Sequence, residues 1–505
     1  MTPSNGAPTT LLGLLEQIPV DQTAVIVPEQ NIRITYGALR RQVQAVAETL
    51  AAYGVGRGDR IGIALPNGLP NIVTFLAASL AGTAAPLNPS YKEDEFRFYL
   101  EDTSARVLLL PPDGLDEARR AAGNVPILTV GMDAAGTVSL QGLTARRAVA
   151  APDSDDIALI LHTSGSTGRP KRVPLSHANL SVSAGNVARS YALSSSDVSL
   201  CVMPLFHVHG LVASTLATLS TGGTVVVPGK FSPLSFWRIA RDHGATWYSA
   251  VPTIHQLLLA RAQKGAHKPE GSEKLRFIRS CSASLPPQVM RDLEEAFGAP
   301  VLEAYGMTEA AHQMASNPLP PARRLPGSVG RGTDVRISIM DTDGKHLAAG
   351  ERGEVVIQGP NVVGGYENNP EANASSFVDG WFRTGDRGFL DENGYLTLTG
   401  RLKEMINRGG EKISPREIDE VLLAHPAVAE AVCFGVPHNA WGEEVAAAVV
   451  LSGEATEPEL LAYCKERLAD FKRPKRIHIT TAIPRTATGK IQRRVVAQAF
   501  ATQTT

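Results

Sequence analysis

Two kinds of apolar spacing alternate along much of this chain, and the alternation restricts its fold more than any other feature. Leu39, Val43, Val46 and Leu50 recur at helical spacing, with Gly54 placed to close the helix. The run Arg60-Ile-Gly-Ile-Ala-Leu65 then reads as a strand. A helix near Ile72–Leu80 and a strand over Val107–Leu110 continue the series, which resumes from Ile157 to about residue 305. Thr224–Pro228 is a buried strand candidate within it. Such alternation predicts an α/β fold of mainly parallel sheets flanked by helices.

From Gly327 to Leu398 the texture changes. Short β-like runs, Val335–Met340 and Gly353–Gln358, are divided by turns such as Asp341-Thr-Asp-Gly344, so a β-rich subdomain is expected at about 327–398. Gly400-Arg-Leu-Lys-Glu404 reads as a boundary. After it, Ser414-Pro-Arg-Glu417 has the pattern of a capping box opening a helix. Strands near Ala431–Phe434 and Val445–Val450, a helix over Glu457–Leu468 and a strand at Ile477–Ile479 follow. With 505 residues the chain exceeds one core. The expectation is a large domain over 1–400 and a small α+β C-terminal domain over 401–505.

Composition narrows the function. Apolar residues make up 43% and charged residues 20%, an ordinary globular balance. A net charge of −1 argues against a nucleic-acid partner, which calls for a basic excess. Cys201, Cys281, Cys433 and Cys464 are scattered, without a C-x-x-C pair, and read as buried thiols rather than disulfides or a zinc site. The chain starts without a basic-then-apolar leader, has no apolar stretch of membrane-spanning length and ends Thr-Gln-Thr-Thr rather than in a Ser-Lys-Leu address. A cytoplasmic enzyme is the expectation; nothing in these patterns specifies an oligomeric state.

The chemistry concentrates in Thr163-Ser-Gly-Ser-Thr-Gly-Arg-Pro-Lys171. Gly165 and Gly168 let backbone N–H groups turn toward an anion. Thr163, Ser164, Ser166 and Thr167 add hydroxyl donors, and Lys171 adds a full charge. These are the requirements for holding a polyphosphate, although the loop is not a Walker sequence. Taken alone, it can equally be read as a Ser/Thr/Gly-rich surface turn.

Five further motifs follow in order: Pro204-Leu-Phe-His-Val-His-Gly210, Tyr305-Gly-Met-Thr-Glu309, Trp381-Phe-Arg-Thr-Gly-Asp386, Gly400-Arg-Leu-Lys403 and Pro484-Arg-Thr-Ala-Thr-Gly-Lys490. With the loop they resemble the adenylate-forming superfamily of acyl-CoA synthetases, peptide-synthetase adenylation domains and luciferases, over residues 10 to 498. The resemblance implies ATP-dependent adenylation of a carboxylate, then transfer of the acyl group to a thiol. It implies that the loop handles the β- and γ-phosphates, that Tyr305 packs on adenine and that Thr308 donates to the α-phosphate. Glu309 would hold Mg²⁺, a hard cation that takes carboxylate and phosphate oxygens. Asp386 and Arg401 match the ribose contacts. Glu303, Ala304 and Gly306, with Ser282, Ala283 and Ser284, fall in segments that line the nucleotide and acyl pockets in relatives. Lys490 matches the essential lysine, whose charge would sit between two reacting anions. Lys403 matches a hinge about which the small, mobile domain rotates, and Gly409 and Gly410 would leave room for the pantetheine arm of coenzyme A. The family usually carries glycine where Arg172 stands, and Arg172 is expected to point to solvent or to add charge beside the phosphates.

Ser280-Cys-Ser-Ala-Ser-Leu285 and the stretch from Glu303 to Met314 most resemble the oxalate–CoA ligase branch. The residues give a separate argument. A dicarboxylate keeps one negative charge after its other end is activated, and burying that charge requires donors. His207, Ser282 and His312 could supply them; His209 reads as structural. Small-molecule substrates are therefore expected: a short dicarboxylate, foremost oxalate, with ATP and coenzyme A. Malonate or another small acid is the first alternative, and loading of a carrier protein by a stand-alone adenylation enzyme is the second.

Overall fold

The computed structural model describes residues 9–163, 170–262, 268–485 and 491–501. Among the described residues the strands form four sheets.

The periodicity at Leu39–Leu50 is that of a helix over Tyr36–Ala52, with Leu39, Val43 and Leu50 fully buried. Each large aliphatic side chain so buried contributes roughly 1.5–3 kcal/mol. Thr35 caps the helix by accepting from the Ala38 N–H, worth about 1 kcal/mol. The next helix, Leu69–Ala81, is buried on nearly every face, as a helix enclosed within the large core must be.

Two large sheets share the first three hundred or so residues. In one, strands Arg60–Ile63, Thr83–Pro86, Val107–Leu110 and Ile157–Thr163 run parallel, and Lys171–Ser176 closes an edge antiparallel to Ile157–Thr163. In the other, Val198–Leu200, Trp247–Ala250, Phe277–Ser280 and Val301–Met307 are parallel neighbours, and His312–Ser316 folds back against the last of them. Arg336–Met340, Gly353–Gln358, Phe377–Val378, Trp381–Leu390 and Leu396–Arg401 make a wholly antiparallel sheet.

Beyond Arg401 a mixed five-stranded sheet is packed by helices Pro415–Leu423, Glu457–Arg467 and Arg493–Ala501. One apolar cluster here, Ile406 to Ile477, draws only on this segment's own side chains. The helix at Pro415 starts where the sequence indicates, but its capping box does not form. Ser414 Oγ donates back to the Thr399 carbonyl, and the Glu417 carboxylate instead receives Lys472 Nζ at 2.7 Å. The four cysteines are buried and unpaired, as expected.

Candidate functional site

The polyphosphate-type loop closes an antiparallel hairpin. Thr163 pairs with Lys171 and His162 with Arg172, so the loop leaves and re-enters the sheet at one point. Ser164, Gly165, Ser166, Thr167 and Gly168 lie outside the described residues. Arg172 does not point to solvent, its side chain being 14% exposed. Its guanidinium lies 3.2 Å from both the Asp102 and the Glu367 carboxylates. Glu367 also receives Arg60, and Asp102 contacts His162 Nε2 at 2.9 Å. Burial holds the His162 imidazole below its ordinary value, with Asp102 opposing. Two acids distant in the chain therefore meet the Arg172 charge.

A tight reversal gathers the second group. Strand Val301–Met307 passes through a single turn, Thr308–Ala310, into His312–Ser316. Ala311 and His312 have φ of 50° and 131°, strained values of the kind that cluster at functional sites. Gly306 is required there: a Cβ would lie 2.2 Å from the His312 carbonyl oxygen. The reversal buries Glu309, whose Oε1 accepts the Tyr366 hydroxyl at 2.9 Å and the Thr163 hydroxyl at 3.4 Å. Lys171 Nζ sits over the Tyr366 ring, 4.3 Å from its centre. Burial and nearby Lys403 depress the Lys171 ammonium, with Glu309 opposing. Thr163, Lys171, Glu309 and Tyr366 thus form one cluster at the mouth of the loop. Tyr366 belongs to none of the sequence motifs.

Tyr305, Asp386 and Arg401 are also joined. Asp386 lies opposite Arg401 on adjacent strands, and the two form an ion pair at 2.8 Å. The Tyr305 hydroxyl donates to the other Asp386 oxygen. Burial and Asp386 raise the Tyr305 hydroxyl well above its ordinary value, so it stays a donor. Ala304 and Thr308 are nearly buried, whereas Ala283 and Ser284 are exposed. The Glu303 side chain is 1% exposed and accepts from the Leu285 N–H, bracing the 280–285 segment from behind rather than opening toward a ligand.

A third group sits where a π-helix, His209–Leu216, meets the reversal. His207 precedes it, half-buried beside Phe206. His209, expected to be structural, lies within this group. Its Nδ1 is 3.1 Å from Ser282 Oγ, and its ring centre is 5.2 Å from that of His312. Gly210 permits the close turn, since a Cβ would meet the Pro204 carbonyl oxygen at 2.3 Å. Ser282 has φ of 74°, a second strained position.

In the C-terminal segment Gly409 and Gly410 form a hairpin turn with φ of 59° and 98°. A Cβ at Gly409 would strike the Trp441 ring at 2.6 Å. Lys403 is exposed on a single turn, Leu402–Glu404, between the antiparallel sheet and this segment. Lys472, Arg473 and Arg476 pair with Glu417, Asp470 and Glu457, so this basic run is largely neutralised. Lys490 lies outside the described residues. Among the described residues no three acid, histidine or cysteine side chains cluster as a metal cage. None of the described helices is long and apolar enough to cross a membrane.

Comparison with known proteins agrees with this arrangement. Residues 15–367 match the AMP-binding enzyme family and residues 417–490 its C-terminal domain. A probable CoA ligase, CCL9, of Humulus lupulus is 49% identical, covering 98% of this chain and 97% of its own. The oxalate–CoA ligase of Arabidopsis thaliana is 47% identical, covering 97% of this chain and 98% of its own. The crystal structure of ATP-bound MatB from Rhodopseudomonas palustris has a TM-score of 0.90 at 32% identity, covering 98% of this chain and 99% of that one. The chain belongs to the AMP-binding enzyme family and is an AMP-forming acyl-CoA synthetase, an acid–thiol ligase that uses ATP and coenzyme A.

Proposed function

We propose that the chain activates a short dicarboxylate, oxalate first, and passes it to coenzyme A. The observation that carries this is the meeting of His209, Ser282 and His312: two imidazoles 5.2 Å apart and a hydroxyl 3.1 Å from one of them. A pocket for a fatty or aromatic acid needs an apolar wall, whereas this group sets polar side chains together. The likeness to the Arabidopsis thaliana oxalate–CoA ligase supports the same reading.

In the first step one carboxylate oxygen attacks the α-phosphorus of ATP, the bond to the bridging oxygen breaks and pyrophosphate leaves. Lys490 supplies the charge that lets the two anions approach. The 163–168 loop and Lys171 hold the departing phosphates, and Thr308 donates to the α-phosphate. Tyr305 supports the adenine, while Asp386 and Arg401 hold the ribose. The Glu309 carboxylate fits Mg²⁺: it is an anionic oxygen donor already oriented by two hydroxyls. A site with one carboxylate suits a cation that keeps phosphate oxygens and water in its shell; when bound it would neutralise phosphate charge. In the second step the small domain turns about Lys403, the CoA thiolate attacks the acyl carbonyl and AMP leaves. Gly409 and Gly410 then line the path of the pantetheine arm, and His207 gates the acyl pocket.

The test is a substrate screen with oxalate, malonate, acetate and an aromatic acid, reading pyrophosphate release with and without coenzyme A, then thioester. Preference for a monocarboxylate would end the dicarboxylate reading. Pyrophosphate release without thioester formation would favour a carrier-protein acceptor.

A further inference from the structure

Arg279 is completely buried, and its partners are all neutral. Its Nε donates to Tyr191 Oη at 2.9 Å, its Nη2 to Gln313 Oε1 at 3.0 Å and its Nη1 to Ser249 Oγ at 3.0 Å. Among the described residues no carboxylate pairs with it. A buried cation without an anion is expensive to keep, so its position calls for a use.

The hydrogen-bond directions point to one. A guanidinium only donates. Arg279 Nη1 also lies 3.4 Å from His209 Nε2, so that nitrogen faces a donor and a positive charge. Ser249 Oγ accepts from Arg279 and lies 2.6 Å from the same Nε2, to which its hydroxyl donates. With Nε2 accepting, the His209 proton is on Nδ1, which donates to Ser282 Oγ across 3.1 Å. Ser282 thus receives its bond from His209, and its own hydroxyl proton is turned outward. From Arg279 Nη1 through Ser249 and His209 to Ser282, each donor in the relay points away from the guanidinium.

We propose that Arg279 is a positioning residue for substrate selection: through Ser249 it fixes His209 as the Nδ1–H tautomer and makes Ser282 a committed donor to the carboxylate that is not activated. This rests on the dicarboxylate reading above. It explains why Ser282 accepts a strained backbone, since the hydroxyl must meet both His209 and the ligand.

Two variants test it. Arg279→Gln removes the charge; Ser249→Ala breaks the relay, leaves Arg279 in place and is the milder change should the first fail to fold. In both, KM for oxalate should rise about tenfold or more, with kcat within about twofold and KM for MgATP unchanged. Nitrogen NMR of histidine-labelled enzyme, with the His209 signal assigned by its loss in His209→Gln, should report the Nδ1–H tautomer in the parent. It should shift toward Nε2–H in Arg279→Gln, whereas in Ser249→Ala, where Arg279 Nη1 still faces Nε2, the Nδ1–H form should persist. Unchanged KM for oxalate in a folded variant, or an Nε2–H tautomer in the parent, would overturn the proposal. A parent that prefers a monocarboxylate would instead defeat the dicarboxylate reading, and the ligand-free spectrum would still decide the role of Arg279 in setting the tautomer.

Discussion

Arg172 Nη1 donates to the Asp102 carbonyl oxygen at 2.7 Å while its Nε lies 3.2 Å from the same residue's carboxylate. Asp102 is in the last turn of helix Glu93–Thr103, where carbonyls lack helical partners. Arg172 therefore ties one side of the loop's stem to a helix end, and Glu367 ties it to a third element. Arg172→Ala should leave two partly buried acids short of a partner, at a cost of about 1–3 kcal/mol. The expected result is a thermal midpoint lower by a few degrees and a KM for MgATP raised severalfold, with the KM for the acid little changed. Steady-state kinetics with each substrate varied in turn would check it, and an unchanged KM for MgATP would refute the anchoring role.

Lys490→Ala should separate the two half-reactions. The lysine's charge matters where a carboxylate approaches a phosphate, and not where a thiolate meets a neutral acyl carbon. Adenylation should fall by roughly 10²–10³-fold. Thioester formation from a supplied acyl-adenylate should change by less than about tenfold. Single-turnover measurements of each step are the check, and equal losses in both would contradict the assignment.

Burial raises the Glu303 carboxyl to about 7, from 4.5, with Arg416 only partly opposing. Its Oε2 is buried without a hydrogen-bond partner among the described residues. The folded protein therefore holds this proton to higher pH than the unfolded chain does. The resulting stability is complete below about pH 4.5 and is lost as pH rises through about 7. Glu303→Gln imitates the protonated form and should remove the dependence. Relative to the parent, its thermal midpoint should be similar near pH 5 and higher near pH 8, by on the order of 2–3 kcal/mol in stability. Parallel stability curves for the two proteins would show that Glu303 is not the titrating group.

The pattern of what the sequence made legible has a physical basis. Helix Tyr36–Ala52 announces itself because its buried face is written at local spacing. The motif residues Tyr305 to Glu309 stand out because they are neighbours in the chain, but the reversal that joins them to His312 is not written in any periodicity. The placement of Arg172 was not legible, because its nearest anchor lies 70 positions away. His209 meets Ser249, Arg279 and Ser282 at separations of 40, 70 and 73 residues, and no periodicity encodes those meetings. Tyr366 carries no motif and reaches Glu309 across 57 residues. The failed capping box at Ser414 is the converse case: a sound local signal overridden because Thr399 and Lys472 offered the two side chains other partners.

His312 gives the most direct test of substrate choice. It is 2% exposed, stands on a strained backbone and faces His209, so its ring is held rather than free to rotate away. Valine at this position would remove both ring nitrogens, and because its branched side chain resists the positive φ, the effect is read as a ratio between two acids. A hydrogen bond to a charged group is worth about 1.5–3 kcal/mol. His312→Val should therefore lower kcat/KM for oxalate by roughly 10–100-fold, while a monocarboxylate of similar size loses little or gains. The ratio of the two kcat/KM values, read from pyrophosphate release, is the measurement. If oxalate turnover survives intact, His312 does not touch the second carboxylate, and the donors that select the acid must be sought in His207 and Ser282 alone.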